Sequence, residues 1–315
     1  MSGLRAFITD SDFGDDSIER EALAGACELV RAHARSEDEV IEACAGAHAL
    51  LVQWAPITER VLRALPELRV VVRYGIGLDN VDLVAAAHLG VTVRNVDDYC
   101  LGEVSDHAVA AICAANRRLA DYDRAVKGGA WGPDVASAPL PPAEDPVGIA
   151  GYGRIGQRVA RRLAATGHPI VVWDPPAEAL AREHGHAVAQ TPVELAAASN
   201  HLTLHVPATS ETKGLVGDAV LAALGPAGHV VNSARGALVD EEALLRWLDA
   251  APAARASLDV LASEPPTGTS RQLASHPQAL VSPHVAYLSS ASLPRLRRTA
   301  AGYVREALVA EQVTP

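Results

Sequence analysis

The segment VGIAGYGRIGQRVARRLA constrains the fold of this chain more than any other stretch. In it, Gly151, Gly153 and Gly156 form GxGxxG where an apolar run passes into a helical pattern. Gly151 permits a tight turn, Gly153 lets the backbone approach a pyrophosphate, and Gly156 lets the helix close on the sheet. The first N–H groups of that helix, at the positive end of its dipole, then face the phosphates. A bare GxGxxG is weak evidence. Here strand and helix patterns flank it correctly, and Asp174 closes the next predicted strand about twenty residues on. A carboxylate there accepts from ribose hydroxyls and repels a 2′-phosphate, which favours NAD over NADP.

Apolar β-rich runs recur along the chain. In the first hundred residues RAFITD (5–10), ALLVQW (49–54), VVVRYG (70–75) and VTVRNV (91–96) are predicted strands. Segments 17–26 and 37–46 between them carry Ala, Leu and Glu at helical spacing. Residues 101–129 form one long helical stretch ended by a Gly pair, and the Pro-rich segment 132–146 is a loop. A second series of strands follows at 146–151, 169–174, 201–206, 229–234, 255–260 and 279–284, with a last helix over about 291–309. Strand–helix alternation of this kind builds parallel sheets with helices on both faces.

Three of the later strand ends each carry one chemically capable residue: Arg235 in VNSARGALVDEEAL, Glu264 in LDVLASEPP beside Asp259, and His284 in LVSPHVAYLSS. Ligands of open α/β sheets bind beyond the carboxyl ends of the strands, so all three are aimed at one crevice. The set suits hydride transfer to a ketone beside a carboxylate. Arg235 can fork onto the carboxylate and polarise the carbonyl. His284 can protonate the nascent alkoxide, and Glu264 paired with the imidazole would orient it and keep it protonated. Each residue alone is usually a surface or turn residue; their joint order after the glycine turn carries the reading.

The 315 residues are 49% hydrophobic, enough for two cores. A formal net charge of −11 argues against a broad nucleic-acid surface. Cys27, Cys44, Cys100 and Cys113 make no CxxC pair, and neither a signal peptide nor a membrane span is read, so a cytoplasmic location is expected. No metal is expected: His201 and His205 share a predicted strand about 13 Å apart. His184 and His186 are read as an exposed turn, and Ala160, Arg161 and Arg162 as a solvated helix face.

At these residues the chain resembles the D-isomer-specific 2-hydroxyacid dehydrogenases. The likeness runs from VVRYGIGLDNVD through NVDDYCLGEVSDHAV, GYGRIG, LHVPATSETKGLV, VNSARGALVDEEAL and LDVLASEP to SPHVAYLS. It implies two doubly wound α/β domains, a Rossmann NAD-binding domain (98–287) inserted into a flavodoxin-like substrate domain (1–97 and 288–315), with a crevice that closes on a 2-oxo or D-2-hydroxy acid. It assigns Arg235, Glu264 and His284 as the catalytic trio, and the N–H groups of Gly75, Ile76 and Gly77 to the substrate carboxylate. It implies cofactor contacts from Ile76, Arg154, Ile155, Asp174, His205, Val206, Pro207, Thr212, Ser233, Ala234, Asp259 and Tyr287. Asp259 would meet the nicotinamide carboxamide. The helix at 101–127 is similar to the one through which the family forms homodimers.

Departures bear on the substrate. Where 3-phosphoglycerate dehydrogenases carry phosphate-binding arginines, this chain reads VQWAP. Phosphite dehydrogenases have Lys at the position of Ile76, and formate dehydrogenases have Gln at that of Glu264. The DYCLGEVSDHA block and Tyr287 look most like the C-terminal-binding-protein corepressors. Trp54 and Tyr287 predict an aromatic lining for a medium-sized side chain, and Arg73 could face a second anionic group. Two alternatives stand beside the dehydrogenase reading: a corepressor-like NAD(H)-sensing scaffold, and a same-fold enzyme for an unusual acid, such as one bearing a phosphonate.

Overall fold

Short, buried, β-branched runs build two all-parallel sheets in the computed structural model, which describes residues 3–310. The chain divides into two units: residues up to Cys100 with those from Leu288 on, and Leu101–Tyr287 between them.

The first unit contains β1 (Arg5–Ile8), α1 (Ser17–Leu23), β2 (Glu28–Arg31), α2 (Glu37–Ala43), β3 (Ala49–Val52), α3 (Glu59–Ala64), β4 (Val70–Arg73), α4 (Leu83–His88) and β5 (Thr92–Asn95). Its sheet order is β2-β1-β3-β4-β5, the flavodoxin-like winding. All four residues of β3 are buried, as expected of a strand covered on both faces. The helices start where side chains supply caps. Ser36 and Glu39 form a capping box on α2, and Asp82 accepts the Ala85 N–H on α4.

The second unit opens with α5 (Leu101–Asn116) and α6 (Leu119–Lys127). There follow β6 (Val147–Ala150), α7 (Arg154–Ala165), β7 (Ile170–Trp173), α8 (Glu178–Glu183), β8 (Ala187–Val188), α9 (Pro192–Ala197), β9 (His201–Leu204), α10 (Asp218–Leu224), β10 (His229–Asn232), α11 (Glu241–Ala250), β11 (Arg255–Leu258), α12 (Gly268–Ala274) and β12 (Ala279–Val281). The order β12-β11-β10-β9-β6-β7-β8 reverses between β6 and β9, the switch point where such sheets bind ligands.

The chain ends on α13 (Ser292–Ala310), which packs on α1, β3 and β4 of the first unit. Arg297 on α13 donates to the buried carboxylate of Glu19 on α1 (2.7 and 2.9 Å), and the Tyr74 hydroxyl donates to the same carboxylate (3.0 Å). Every group in this buried cluster is satisfied, which is what keeps it from destabilising the core.

The fold corrects several expectations. Strands β2 and β8 were not anticipated: β2 is the half-exposed ELVR and β8 has only two residues. Most predicted strands lose their last two residues, which leave the ladder to form loops. The expected single helix over 101–129 breaks at Arg118, whose φ is 56° and whose N–H closes on Ala115 O. Ala160, expected on a solvated face, is fully buried, and Arg162 pairs with Asp106 at 3.2 Å. His205 lies one residue beyond β9.

Candidate functional site

The glycine turn leads from β6 into α7. Gly151 has φ 98°, and a Cβ there would stand 2.6 Å from His205 C and 2.7 Å from Val206 N. The ends of β6 and β9 thus meet backbone to backbone at the switch point. A Cβ on Gly156 would fall 2.0 Å from Gly151 O, so the helix can approach its own turn only with glycine here. At Gly153 a Cβ would meet nothing within 4 Å, and Gly153 caps α7 with no side-chain hydrogen bond. The first N–H groups of a twelve-residue helix therefore open onto empty space, as an anion requires. Arg154 is exposed at the helix start and Ile155 is half-buried.

Asp174, after β7, accepts the Tyr152 N–H at 2.6 Å, which holds its carboxylate against the glycine turn. Beyond β9 the ring of His205 bonds Thr203 Oγ1 (3.0 Å), and burial pushes its pKa down to about 4. Val206 is half-buried and Pro207 exposed. The Thr212 hydroxyl donates to Pro207 O (2.6 Å) and accepts from Thr209 N (2.8 Å), so it staples this loop. After β10, Ser233 Oγ is buried with no hydrogen-bond partner among the described residues. A dinucleotide fits this set: an open, uncapped helix end for its phosphates, a carboxylate beside the turn, and an unsatisfied hydroxyl on the next loop.

Arg235 follows directly. The Asn232 amide shapes its turn, accepting from Ala234 N (3.0 Å) and donating to Arg235 O (2.8 Å). Arg235 Nη1 donates to Ala234 O (2.7 Å). A Cβ on Gly236 would lie 2.1 Å from Leu261 C, so this turn rests against the chain that leads to Glu264. Glu264 accepts the Leu261 N–H (2.9 Å) on one oxygen and lies 2.7 Å from His284 Nδ1 on the other. Burial raises the Glu264 pKa, but the hydrogen bond and charge of His284, the Leu261 N–H and the charge of Arg235 together hold it below 4.5. The carboxylate is ionised at neutral pH, and the trio is brought onto adjoining loops.

The His284 loop wraps around Asp259. This buried carboxylate accepts from Ser282 Oγ (2.5 Å), Val285 N (2.9 Å) and Ala286 N (2.8 Å), while His284 N donates to Asp259 O (2.8 Å). His284 itself has φ 53°, a left-handed conformation that this cage imposes on a non-glycine residue. Tyr287 meets the His284 ring edge to face at 6.5 Å. The sequence reading missed Asn232, Gly236 and the caging part of Asp259. An Asn just ahead of a turn is an available signal for the first.

In the first unit, Gly75 N–H donates to Arg73 O (3.0 Å). Among the described residues no acceptor engages the N–H groups of Ile76 and Gly77. Asn95 Nδ2 donates to Ile76 O (2.5 Å) and fixes the turn. The Arg73 guanidinium lies across Gly75, where a Cβ would come 1.9 Å from Nη1, and stands 5.8 Å from the Trp54 ring centroid. Trp54 is 38% exposed and donates Nε1–H to Asp12 (2.8 Å). Asp10 gathers the N–H groups of Gln53, Trp54 and Ala55 on its carboxylate.

Two groups of histidines lie outside this site. His184, exposed, bonds the Tyr152 hydroxyl (2.9 Å), and His186 is half-buried. His168, His201 and His229 are buried at the opposite strand ends. Among the described residues there is no group of three His, Cys, Asp or Glu side chains arranged to hold a metal ion, and no helix long and apolar enough to cross a membrane.

Comparison with known proteins gives three kinds of match. Residues 109–286 match the family model described as D-isomer specific 2-hydroxyacid dehydrogenase, NAD binding domain. A D-3-phosphoglycerate dehydrogenase of Mycobacterium leprae is 36% identical over 87% of this chain and 52% of its own length; the chain thus spans about half of that relative. A glycerate dehydrogenase of Methylorubrum extorquens is 32% identical over 81% of each chain. Among solved structures, an NADPH-dependent glyoxylate/hydroxypyruvate reductase of Sinorhizobium meliloti, with NADP and malonate, superposes with TM-score 0.82 at 31% identity, covering 99% of this chain and 95% of that one.

Proposed function

The chain belongs to the D-isomer-specific 2-hydroxyacid dehydrogenases, and we propose that it is an NAD(H)-dependent oxidoreductase interconverting a 2-oxo acid and its D-2-hydroxy acid. The observation that carries this is the His284–Glu264 pair at 2.7 Å, on loops adjoining Arg235 in the sheet that also bears the glycine turn.

The second unit takes the cofactor role. The turn Gly151–Ile155 and the start of α7 hold the pyrophosphate, Asp174 the adenosine ribose, and Val206–Thr212, Ser233 and Ala234 the remaining wall. The nicotinamide, when bound, supplies or accepts the hydride. Arg235 forks onto the substrate carboxylate and polarises the neighbouring carbonyl. With His284 Nδ1 committed to Glu264, the proton that moves is the one on Nε2; in reduction it passes to the carbonyl oxygen, and in oxidation Nε2 takes it back. Glu264 stays ionised and stabilises the imidazolium. In the first unit the N–H groups of Ile76 and Gly77 have no acceptor among the described residues, and the Arg73 guanidinium lies across neighbouring Gly75. We assign this turn to the substrate, whose side chain we take to be small to medium in size.

We further infer a homodimer through the second unit. On and after α6, Leu119, Val126 and Trp131 are exposed, Trp131 at 88%, an apolar set that a second copy would cover. Four free cysteines and the charge balance support a cytosolic setting.

NADH oxidation against 2-oxo acids of graded size and charge tests the reading. Turnover should be lost in Arg235→Ala and His284→Ala while NADH still binds. NADH binding with no turnover on any member of the panel would favour the corepressor-like scaffold instead.

A further inference from the structure

At the amino ends of the second unit's strands, opposite the glycine turn, four side chains form a continuous polar chain. Ser257 Oγ lies 2.9 Å from His229 Nε2, His229 Nδ1 3.0 Å from His201 Nδ1, and His201 Nε2 2.7 Å from Asp145 Oδ2. Asn116 and Asn200 donate to the same carboxylate (2.5 and 2.9 Å); burial raises its pKa, but His201 and then these amides hold it down at about 2. Asp145 is thereby committed, and His229 borders two cavities, the second of which also reaches His201.

The first cavity, of about 90 Å³, lies between His229 and the α5–α6 break; Arg118, Arg124, Arg255, His229 and Ser257 border it. The second, of about 120 Å³, shares Arg118, Arg255 and His229 and reaches Asn200 and His201. Each is several times the roughly 10–15 Å³ that one water occupies by this measure. Three guanidinium groups thus gather here in a protein of net charge −11. Two carboxylates border the same cavities: Asp145, committed as above, and Asp121, which bonds Arg255 Nη2 (2.8 Å) and Nε (3.3 Å) and lies 3.7 Å from Arg124. Arg124 also donates to Pro277 O (2.6 Å). Arg118 differs: its Nε is shut off from solvent and has no acceptor among the described residues. Burial pushes the His229 pKa down, and His201, Arg255 and Arg118 add to that against the opposing charge of Asp145. A buried guanidinium N–H without an acceptor costs free energy unless something fills that place.

We propose that these neighbouring cavities are a binding site for a small oxyanion, a phosphate or carboxylate group, taken by Arg118 with Arg255 and placed at the far end of the sheet from the cofactor turn. The anion supplies the missing acceptor and balances the excess positive charge. Its fork geometry suits guanidinium rather than ammonium donors.

The test uses the full chain with NADH at saturation, so that the glycine turn does not compete. Inorganic phosphate is titrated calorimetrically, citrate is the carboxylate arm, and potassium chloride at matched ionic strength is the control. Phosphate, citrate or both should bind the unmodified protein, and the stronger of the two identifies the oxyanion. Arg118→Gly removes the guanidinium while suiting a φ of 56°, so the fold should persist with an unchanged or raised melting temperature. Its affinity should fall about tenfold or more, the worth of one charge-assisted donor. Arg118→Lys, which keeps the charge but not the fork, should lie between. Binding that survives Arg118→Gly in an Arg235→Ala background, where the guanidinium assigned to the substrate carboxylate is gone, overturns the proposal, as does no binding by the unmodified protein at millimolar concentration. Sedimentation velocity closes the remaining route. If Arg118→Gly splits dimers and neither form binds phosphate or citrate, the guanidinium serves a subunit contact and the proposal is wrong.

Discussion

His284 Nδ1 stands 2.7 Å from Glu264 Oε2, and the same histidine is held at φ 53° by a loop wrapped around the buried carboxylate of Asp259. One carboxylate orients the ring, and the other sets where the ring begins. A left-handed non-glycine residue is stabilised only by surroundings of this kind.

Glu264→Gln keeps a hydrogen bond and removes the charge that favours imidazolium. Activity in the direction of reduction needs that proton, so the alkaline limb of kcat should move to lower pH. His284→Ala should lose about 10²–10⁴ in rate with NADH affinity kept. A limb that does not move in Glu264→Gln excludes the pair as drawn.

Two of the glycines should part company. Gly156→Ala places a methyl 2.0 Å from Gly151 O and should lower the melting temperature and NADH affinity together. Gly153→Ala meets nothing within 4 Å in the protein and has an ordinary φ of −74°, so it should melt like the parent yet bind NADH more weakly. Thermal melts beside NADH fluorescence titrations decide this. Equal destabilisation of both variants would contradict the geometry.

Cofactor choice should rest on Asp174. The unmodified enzyme should prefer NADH to NADPH, and Asp174→Ala should erode the preference as repulsion of a 2′-phosphate is lost. Comparable kcat/KM with both cofactors in the parent would remove Asp174 from this part.

Stability should fall on acidification. His205, at about 4, and His229, well below 6.5, are both depressed, with burial the first cause in each. The unfolded chain therefore binds more protons below pH 6.5, so their contribution is full above that pH and is lost as pH falls toward about 4. Asp145, at about 2, adds stability above 3.8 that is lost below it. Melting temperatures should drop between about pH 7 and about pH 5; a flat or rising series there would mean that the histidines are not held neutral.

Trp54→Ala tests the pocket. The ring is 38% exposed and faces Arg73, so its loss removes apolar area and loosens the guanidinium. KM for bulky apolar 2-oxo acids should rise more than KM for glyoxylate, by roughly 1–3 kcal/mol of discrimination per lost contact. A uniform rise across the panel would indicate a general defect and end the pocket assignment.

The parts of the site that could be read in advance share one property: their chemistry depends on local order. GxGxxG works through the conformations of consecutive residues, and Asp174, Arg235, Glu264 and His284 sit at strand ends that hydrophobic patterning marks. The parts that escaped depend on distant partners. Nothing local shows that Gly236 touches Leu261, or that Asp259 receives two N–H groups from the loop after β12. The break at Arg118 carries no Gly or Pro to announce it, and β8 is too short for periodicity to show. His201, weighed only as a possible metal ligand, proved to be one link in a buried chain from Ser257 to Asp145.

By itself the sequence determined the α/β class, the glycine turn with its acidic companion, and the residues able to bind a carboxylate and move a proton. These follow from side-chain periodicity and from backbone freedom at single positions, which are properties of neighbouring residues. Tertiary structure alone decided which strand ends meet. It put Gly151 against His205 and drew Glu264 onto His284. Sheet order brings together residues far apart in the chain, and a hydrogen bond or an ion pair depends on distances of a few ångströms that no local pattern encodes.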